Sequence, residues 1–92
     1  MEKGFNSDIL FSGSEYHIQT EDWGMSNPYI VTRVYCNGGV VKSVKSPYAE
    51  VLPEQVLRSA NIDSLAFRRA LVSAIQTQHE RILDQLVSGH LL

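Results

Sequence analysis

The segment YHIQTEDWG, residues 16–24, brings a histidine close to two acidic side chains. A histidine beside a carboxylate is a combination that general acid–base catalysis uses. Glu21 and Asp22 are adjacent, however, and adjacent residues of an extended chain point to opposite faces, so they make a poor catalytic pair. His17 with one acid is therefore the only enzymatic interpretation of this segment, and we rank it below binding functions.

Two other residue types could do chemistry. Cys36 is the only cysteine, so the chain can form neither an internal disulfide nor a zinc site built on cysteines. Neither a helix N-terminus nor a cation is predicted beside Cys36 to activate its thiol. His17 and His79 without a third ligand do not define a metal site. The sequence therefore predicts no catalytic residue, no metal ion and no cofactor.

Length and charge restrict the class of protein. The chain has 92 residues, 43 % of them hydrophobic and 20 % charged, which is typical of one globular domain over residues 1–92. The net charge of −2 gives no general attraction to nucleic acid or anionic lipid, so a nucleic-acid partner is unlikely and no membrane role is expected. The first residues do not form a signal peptide. We predict a cytoplasmic protein.

Two β-hairpins are predicted over residues 8–46. In the first, Gly13-Ser14 would form a two-residue turn. That turn sets Phe11 opposite Tyr16 and Ile9 opposite Ile18. Pairing Ile9 with Tyr16 instead leaves Phe11 opposite Ser14, which is a poorer cross-strand match. We therefore predict the first register.

The second hairpin turns at Asn37-Gly38, the strongest short-range signal for a type I′ turn. This turn pairs Tyr35 with Val40, and it sets Arg33 opposite Lys42. Two like charges facing each other need water or a bound anion between them. Arg33, Lys42 and Tyr35 therefore form an alternative binding face for an anion, a small ligand or a nucleic acid.

Helical periodicity follows the hairpins. The pattern predicts a short helix over 53–60 and a long amphipathic helix over 64–88, with Asp63 as the N-cap and Gly89 at the C′ position. The long helix is expected to pack on the sheet. The predicted fold class is α+β, with a four-stranded antiparallel sheet.

The long helix is predicted to be longer than its sheet. About 25 residues span roughly 37 Å, whereas strands of this length reach roughly 23 Å. The overhang would expose apolar surface, so we predict a homodimer. The predicted dimer contacts are His79, Ile82, Leu83 and Leu86. The alternative is that the segment SPYAEVLPEQVL covers the helix within one chain, and His79 itself is more typical of a partly buried structural residue.

Alternation along the second strand places three polar residues in one row. His17, Gln19 and Glu21 share a face, while Tyr16 and Ile18 point the other way. Trp23 lies in the following loop, where it either covers the core or anchors a partner. We predict that His17, Gln19, Glu21 and Trp23 contact an unidentified protein partner.

Three segments carry a resemblance to a known family. YHIQTEDWG, NPYIVTRVYCNGGVVKSVKSPYAEVL and the helical QTQHERIL resemble a family of small uncharacterised bacterial domains, in which a histidine-glutamine-threonine-acid strand precedes an NP turn and a second hairpin. The resemblance runs from about Asn6 to the end of the helix. It implies a bacterial cytoplasmic origin, and it carries over no activity and no functional residue. The sequence thus favours a non-enzymatic interaction or regulatory module.

Overall fold

A four-stranded antiparallel sheet and three helices make up the computed structural model, which describes residues 4–59 and 64–91. The elements in chain order are β1 (Phe5–Phe11), β2 (Ser14–Asp22), β3 (Tyr29–Cys36), β4 (Gly39–Pro47), α1 (Tyr48–Val51), α2 (Glu54–Ser59) and α3 (Leu65–Val87). The strands lie in the order β1-β2-β3-β4. The predicted α+β class is confirmed. The helix predicted over 53–60 is α2, with position 60 outside the described residues, and α1 was not predicted.

The first hairpin turns one residue earlier than the sequence suggested, at Ser12-Gly13. Both residues have positive φ, 51° for Ser12 and 79° for Gly13, as a type I′ turn requires. Ile9 therefore pairs with Tyr16, and Phe11 with Ser14. The predicted Gly13-Ser14 turn was wrong because glycine fits either central position of a two-residue turn, so the position of Gly13 does not fix the register. The pairing is shifted by an even number of residues, so each side chain keeps its predicted face.

The turn geometry makes Ser12 a site where stability can be gained. Asparagine tolerates positive φ better than serine, so we expect Ser12→Asn to raise the free energy of unfolding by about 0.5 kcal/mol. Urea denaturation measures the change. Asn37 occupies the equivalent position of the second turn, with φ of 54°, so Asn37→Ser is the matched control and should lower stability by a similar amount. A stabilising Asn37→Ser would contradict this account.

The second hairpin confirms the Asn37-Gly38 turn and the pairing of Tyr35 with Val40. A β-bulge follows, between Val34 and Tyr35 on one strand and Val41 on the other. Beyond the bulge, Arg33 pairs with Ser43 and Val34 pairs with Lys42. The predicted pairing of Arg33 with Lys42 is therefore wrong, and the two side chains lie on opposite faces. The bulge was not predicted because both faces of this hairpin carry large apolar residues, so either register satisfies the pattern.

The helices cover one side of the sheet, which we call the inner face. The C-terminal half of α3 packs there on a cluster formed by Ile18, Val34, Ile82 and Leu86. The N-terminal half belongs to a second cluster that α1 and the segment before α2 help to close. Its buried members are Ile30, Tyr48, Leu52, Phe67, Leu71, Ala74 and Ile75. Two adjoining clusters thus bury the apolar stripe along most of the helix.

The residues predicted as dimer contacts pack largely within a single chain. Ile82, Leu86 and His79 are 3 %, 1 % and 5 % exposed within a single chain, and Leu83 packs half-buried against the same cluster. The C-terminal half of α3 does not overhang, because it lies on the sheet. The N-terminal half needs the cover, and the segment SPYAEVLPEQVL supplies it, which was the alternative. The amphipathic pattern could not show which half of the helix lies on the sheet.

Both ends of α3 are capped. The Ser64 hydroxyl accepts a hydrogen bond from the Phe67 N–H at 3.0 Å, so Ser64 is the N-cap. Asp63, the predicted cap, lies outside the described residues. Gly89 has φ of 80° and donates to the Leu86 carbonyl, while the His90 N–H donates to Gln85. These two bonds form a Schellman motif, and they confirm Gly89 at C′.

Candidate functional site

The other side of the sheet, which we call the open face, is covered by none of the described helices. Strand alternation and the observed register place the following side chains on it: Asp8, Leu10, Glu15, His17, Gln19, Glu21, Tyr29, Val31, Arg33, Tyr35, Ser43 and Lys45. The predicted row of His17, Gln19 and Glu21 therefore lies together on the surface, and Trp23 follows directly after it. The open face brings together all four residues predicted to contact a partner.

His17 lies on the open face between β1 and β3. It pairs across the strands with Asp8 on one side and Tyr35 on the other. Its Nδ1 lies 2.8 Å from Asp8 Oδ1, and its ring centroid lies 6.0 Å from that of Tyr35. The side chains of His17 and Asp8 are 41 % and 70 % exposed, so water screens their attraction. The pair fixes the orientation of the imidazole and contributes little to stability.

A shallow recess of about 440 Å³ lies in front of this histidine. Its lining combines acidic, amide and aromatic groups: Asp8, Glu15, His17, Gln19, Tyr35, Asn37 and Gly38. An open recess suits contact with a protruding side chain of another protein better than enclosure of a small apolar ligand.

Farther along the open face lies an aromatic–cation cluster made of Trp23, Tyr29, Arg33 and Lys45. The Arg33 guanidinium carbon is 5.5 Å from the centroid of the Trp23 ring, and Lys45 Nζ is 5.1 Å from the same ring. Lys45 Nζ is also 4.2 Å from the Tyr29 ring. Cation–π contacts at exposed sites are each worth about 0.5–1 kcal/mol. The indole is therefore held in place by two cations from neighbouring strands.

The cluster explains why an apolar residue is buried on an otherwise open face. Val31 is only 3 % exposed, although it lies between Glu21 and Lys45 in the register. Lys45 is its cross-strand partner and Arg33 lies two residues along the same face, and both of these side chains contact the Trp23 ring. Trp23 itself is half-buried, which lies between the covered and the exposed position that the sequence left open.

Asp22 positions the loop that carries Trp23. Its carboxylate is buried on the inner face, where it accepts hydrogen bonds from the Gly24 N–H at 2.9 Å and from the Tyr48 hydroxyl. Burial and the neighbouring Asp22 raise the pKa of Tyr48 above its usual range, so Tyr48 stays a donor. The backbone N–H of Trp23 donates to the backbone carbonyl of Tyr29 at 3.0 Å. The sequence suggested Asp22 only as a poor acid–base partner, and it gave no sign of the bond to Tyr48.

A chain of buried polar groups crosses the inner face below α3. His79 lies 2.8 Å from Ser7 Oγ through Nε2 and 2.8 Å from Thr20 Oγ1 through Nδ1. Thr20 contacts Thr32 at 2.8 Å, and the Gln78 amide donates to Thr32 at 3.0 Å. Burial lowers the pKa of His79. His79 and His17 lie on opposite sides of the sheet and do not meet.

The alternative binding face is not assembled as predicted. Lys42 lies on the side opposite to Arg33 and Tyr35, because the bulge reverses its orientation. Lys45, the cross-strand partner of Val31, stands on the open face instead. Arg33 Nη1 also lies 3.3 Å from Glu21 Oε1, so a carboxylate neutralises part of its charge. The three residues therefore do not form one anion site.

Charge is distributed unevenly across the open face. Its acids, Asp8, Glu15 and Glu21, stand on β1 and β2, whereas Arg33 and Lys45 stand on β3 and β4.

Across residues 4–59 and 64–91, no three histidine, cysteine or acidic side chains come together as metal ligands. None of the helices in the same residues combines the length and apolar character needed to cross a membrane.

Comparison of the chain with known protein families, with curated proteins and with solved structures finds no match. The open face is therefore the part of the molecule whose chemistry indicates a function. That surface is amphipathic, carries charges of both signs, and has a partly accessible tryptophan between two cations.

Proposed function

We propose that this protein is a non-enzymatic interaction module, which binds another protein through the open face and acts as a homodimer. The observation that supports it most strongly is the aromatic–cation cluster on a sheet face that no described helix covers. Tryptophan, tyrosine and arginine are the residue types that dominate binding energy at protein interfaces. Here they meet on one rigid surface.

The geometry also suggests what the partner presents. Lys45 contacts two aromatic rings and has no carboxylate partner among the described residues. An acidic side chain of the partner would therefore find a free cation, while an apolar or aromatic side chain would pack on the accessible part of Trp23. The acids along β1 and β2 would pair with basic groups of the partner. Such mixed complementarity favours a protein surface over a polyanion, which would meet repulsion from Asp8, Glu15 and Glu21.

Charge reversal at Lys45 tests the proposal. We expect immobilised wild-type protein to retain a specific partner from a cell lysate and Lys45→Glu to lose it, because the new acid repels the partner's acidic group and releases Trp23. Lys42→Glu is the matched control: it makes the same charge change on the same strand, on the opposite face. Circular dichroism confirms that both variants are folded. Equal retention by all three proteins would contradict the proposal.

Once the partner is identified, titration calorimetry gives the magnitude. We expect Trp23→Ala to weaken binding by about 2 kcal/mol, roughly thirty-fold in Kd, as is typical of a hot-spot residue. Val72→Ala, on the exposed side of α3, is the control and should leave Kd unchanged.

The alternative, an anion-binding or nucleic-acid-binding function, is distinguished by fluorescence. Trp23 is the only tryptophan, so its emission reports on the open face alone. Titration with phosphate and with an oligonucleotide at low salt should leave the emission unchanged if the partner is a protein. A saturable change that disappears at high salt would instead support the alternative.

A further inference from the structure

The two edge strands of the sheet differ in how they are protected. β4 carries the bulge, two lysines and Pro47 at its end, all of which discourage another strand from pairing with it. β1 has the sequence FNSDILF and pairs with β2 in an unbroken register. It contains no lysine, no proline and no bulge. β1 is therefore the edge at which a further strand can add.

The backbone groups of β1 that are available for pairing follow from the turn. Phe11 and Ser14 close a two-residue hairpin and form a hydrogen-bonded pair, and such pairs alternate along an antiparallel ladder. Ile9 and Ser7 therefore bond to β2, whereas the N–H and C=O groups of Asp8 and Leu10 point away from the sheet. Leu10 is also 76 % exposed, so an apolar side chain stands beside unpaired backbone groups.

Apolar surface on the inner face continues to the same edge. Ile9, Phe11 and Leu83 pack on the cluster around Ile18 while remaining only half-buried. Leu83 is one helical turn beyond His79, which bonds to Ser7 of β1, so Leu83 lies on the β1 side of α3. A strand added at β1 would cover these three side chains and exclude water from them.

We propose that the occupant is a second copy of this chain, joined through antiparallel pairing of β1 with β1 into a continuous eight-stranded sheet. The proposal deepens the homodimer of the proposed function and rests on it. A second copy supplies a strand of the same length and the same inward and outward pattern. A two-fold axis between the strands makes every contact occur twice, and both open faces remain free for partners.

We assign this pairing the register centred on Ile9. Centring the axis on Asp8 would set two aspartates directly opposite each other, which is unfavourable. Centring it on Ile9 sets Ile9 against Ile9 of the second copy on the inner face. Asp8 then faces Leu10 of the second copy on the open face, and no two aspartates stand directly opposite each other. The outward N–H and C=O groups of Asp8 and Leu10 all find partners.

Light scattering on a sizing column tests the assignment. We expect wild-type protein to show twice the monomer mass of 10.3 kDa at the upper end of about a hundredfold concentration range. Leu10→Asp should raise the dimer Kd at least about tenfold, because it sets an acid opposite Asp8 of the second copy. Val40→Asp is the matched control: it alters an exposed apolar residue, 51 % accessible, at the other edge, and it should leave the mass unchanged.

Amide hydrogen exchange on the wild-type protein provides a test that needs no variant. The Asp8 and Leu10 amides should exchange more slowly as concentration rises, whereas the Val40 amide, which points away from the sheet at the β4 edge, should not change. A monomer at every concentration, a dimer that survives Leu10→Asp, or protection at Val40 instead would overturn the proposal. Partner capture by the open face is read separately, since Lys45→Glu should abolish capture without changing the mass.

Discussion

Replacing Asp22 with alanine is expected to lower the free energy of unfolding by about 2–4 kcal/mol. The substitution leaves the buried Tyr48 hydroxyl and the part-buried Gly24 N–H without their acceptor. A buried polar group without a partner costs about 1–3 kcal/mol. Urea denaturation followed by circular dichroism measures the loss.

Asp8→Ala is the matched control for this substitution. Asp8 is also an aspartate in a strand and also has a hydrogen-bonded partner, but its side chain is 70 % exposed. The control should cost under about 0.5 kcal/mol, since surface ion pairs contribute little. Trp23 fluorescence adds a local probe, because only loss of Asp22 should release the loop. An Asp22→Ala variant as stable as the control would show that the buried carboxylate does not hold the loop.

The second large effect concerns acid stability and originates at His79. Burial lowers the pKa of His79 below its usual 6.5; Glu80 raises it and His17 lowers it, each by less. The unfolded chain therefore binds the proton more readily than the folded protein does. Stability from this residue is complete above pH 6.5 and falls as the pH decreases below that value, by at most about 1.4 kcal/mol per pH unit, until the folded state is protonated as well.

Denaturation between pH 4.5 and 7.5 of wild type and two variants checks this prediction. His79→Gln keeps hydrogen-bonding capacity toward Ser7 and Thr20 but cannot titrate, so its stability should depend less on pH between 5 and 6.5. His90→Gln removes an exposed histidine and should keep the wild-type dependence. If the three profiles had the same slope, proton binding at His79 would not govern the acid stability.

The sequence pattern predicted which face the residues of β1, β2 and β3 occupy, because side chains alternate along an unbroken strand. Ile18 points inward and His17 outward, as expected. Asn37 and Gly38 form the predicted turn, because both residues adopt the positive φ that a type I′ turn needs. The pattern did not predict the register of the first hairpin, since Gly13 can occupy either position of a turn. It also missed the bulge at Val41, because valines on both sides of the strand satisfy two registers equally.

The candidate site was predicted in part. His17, Gln19, Glu21 and Trp23 do share one surface, because three of them belong to one period-2 row and the loop returns along that row. Lys45 was not included, since its position beside Trp23 depends on the bulge. The pairing of Asp22 with Tyr48 joins residues 26 positions apart, and no local pattern reports a contact at that separation. The same holds for Ser7 and His79.

The order of the elements along the chain has a consequence for synthesis on the ribosome. All four strands precede α3, and the bond from Ser7 to His79 spans 72 positions. The hairpins can form locally within microseconds, yet Ile18, Ile30 and Val34 have no cover until most of α3 has left the exit tunnel. During that interval the nascent sheet is a target for chaperones that recognise apolar surface. A ribosome that stalls within α3 would therefore leave an aggregation-prone product.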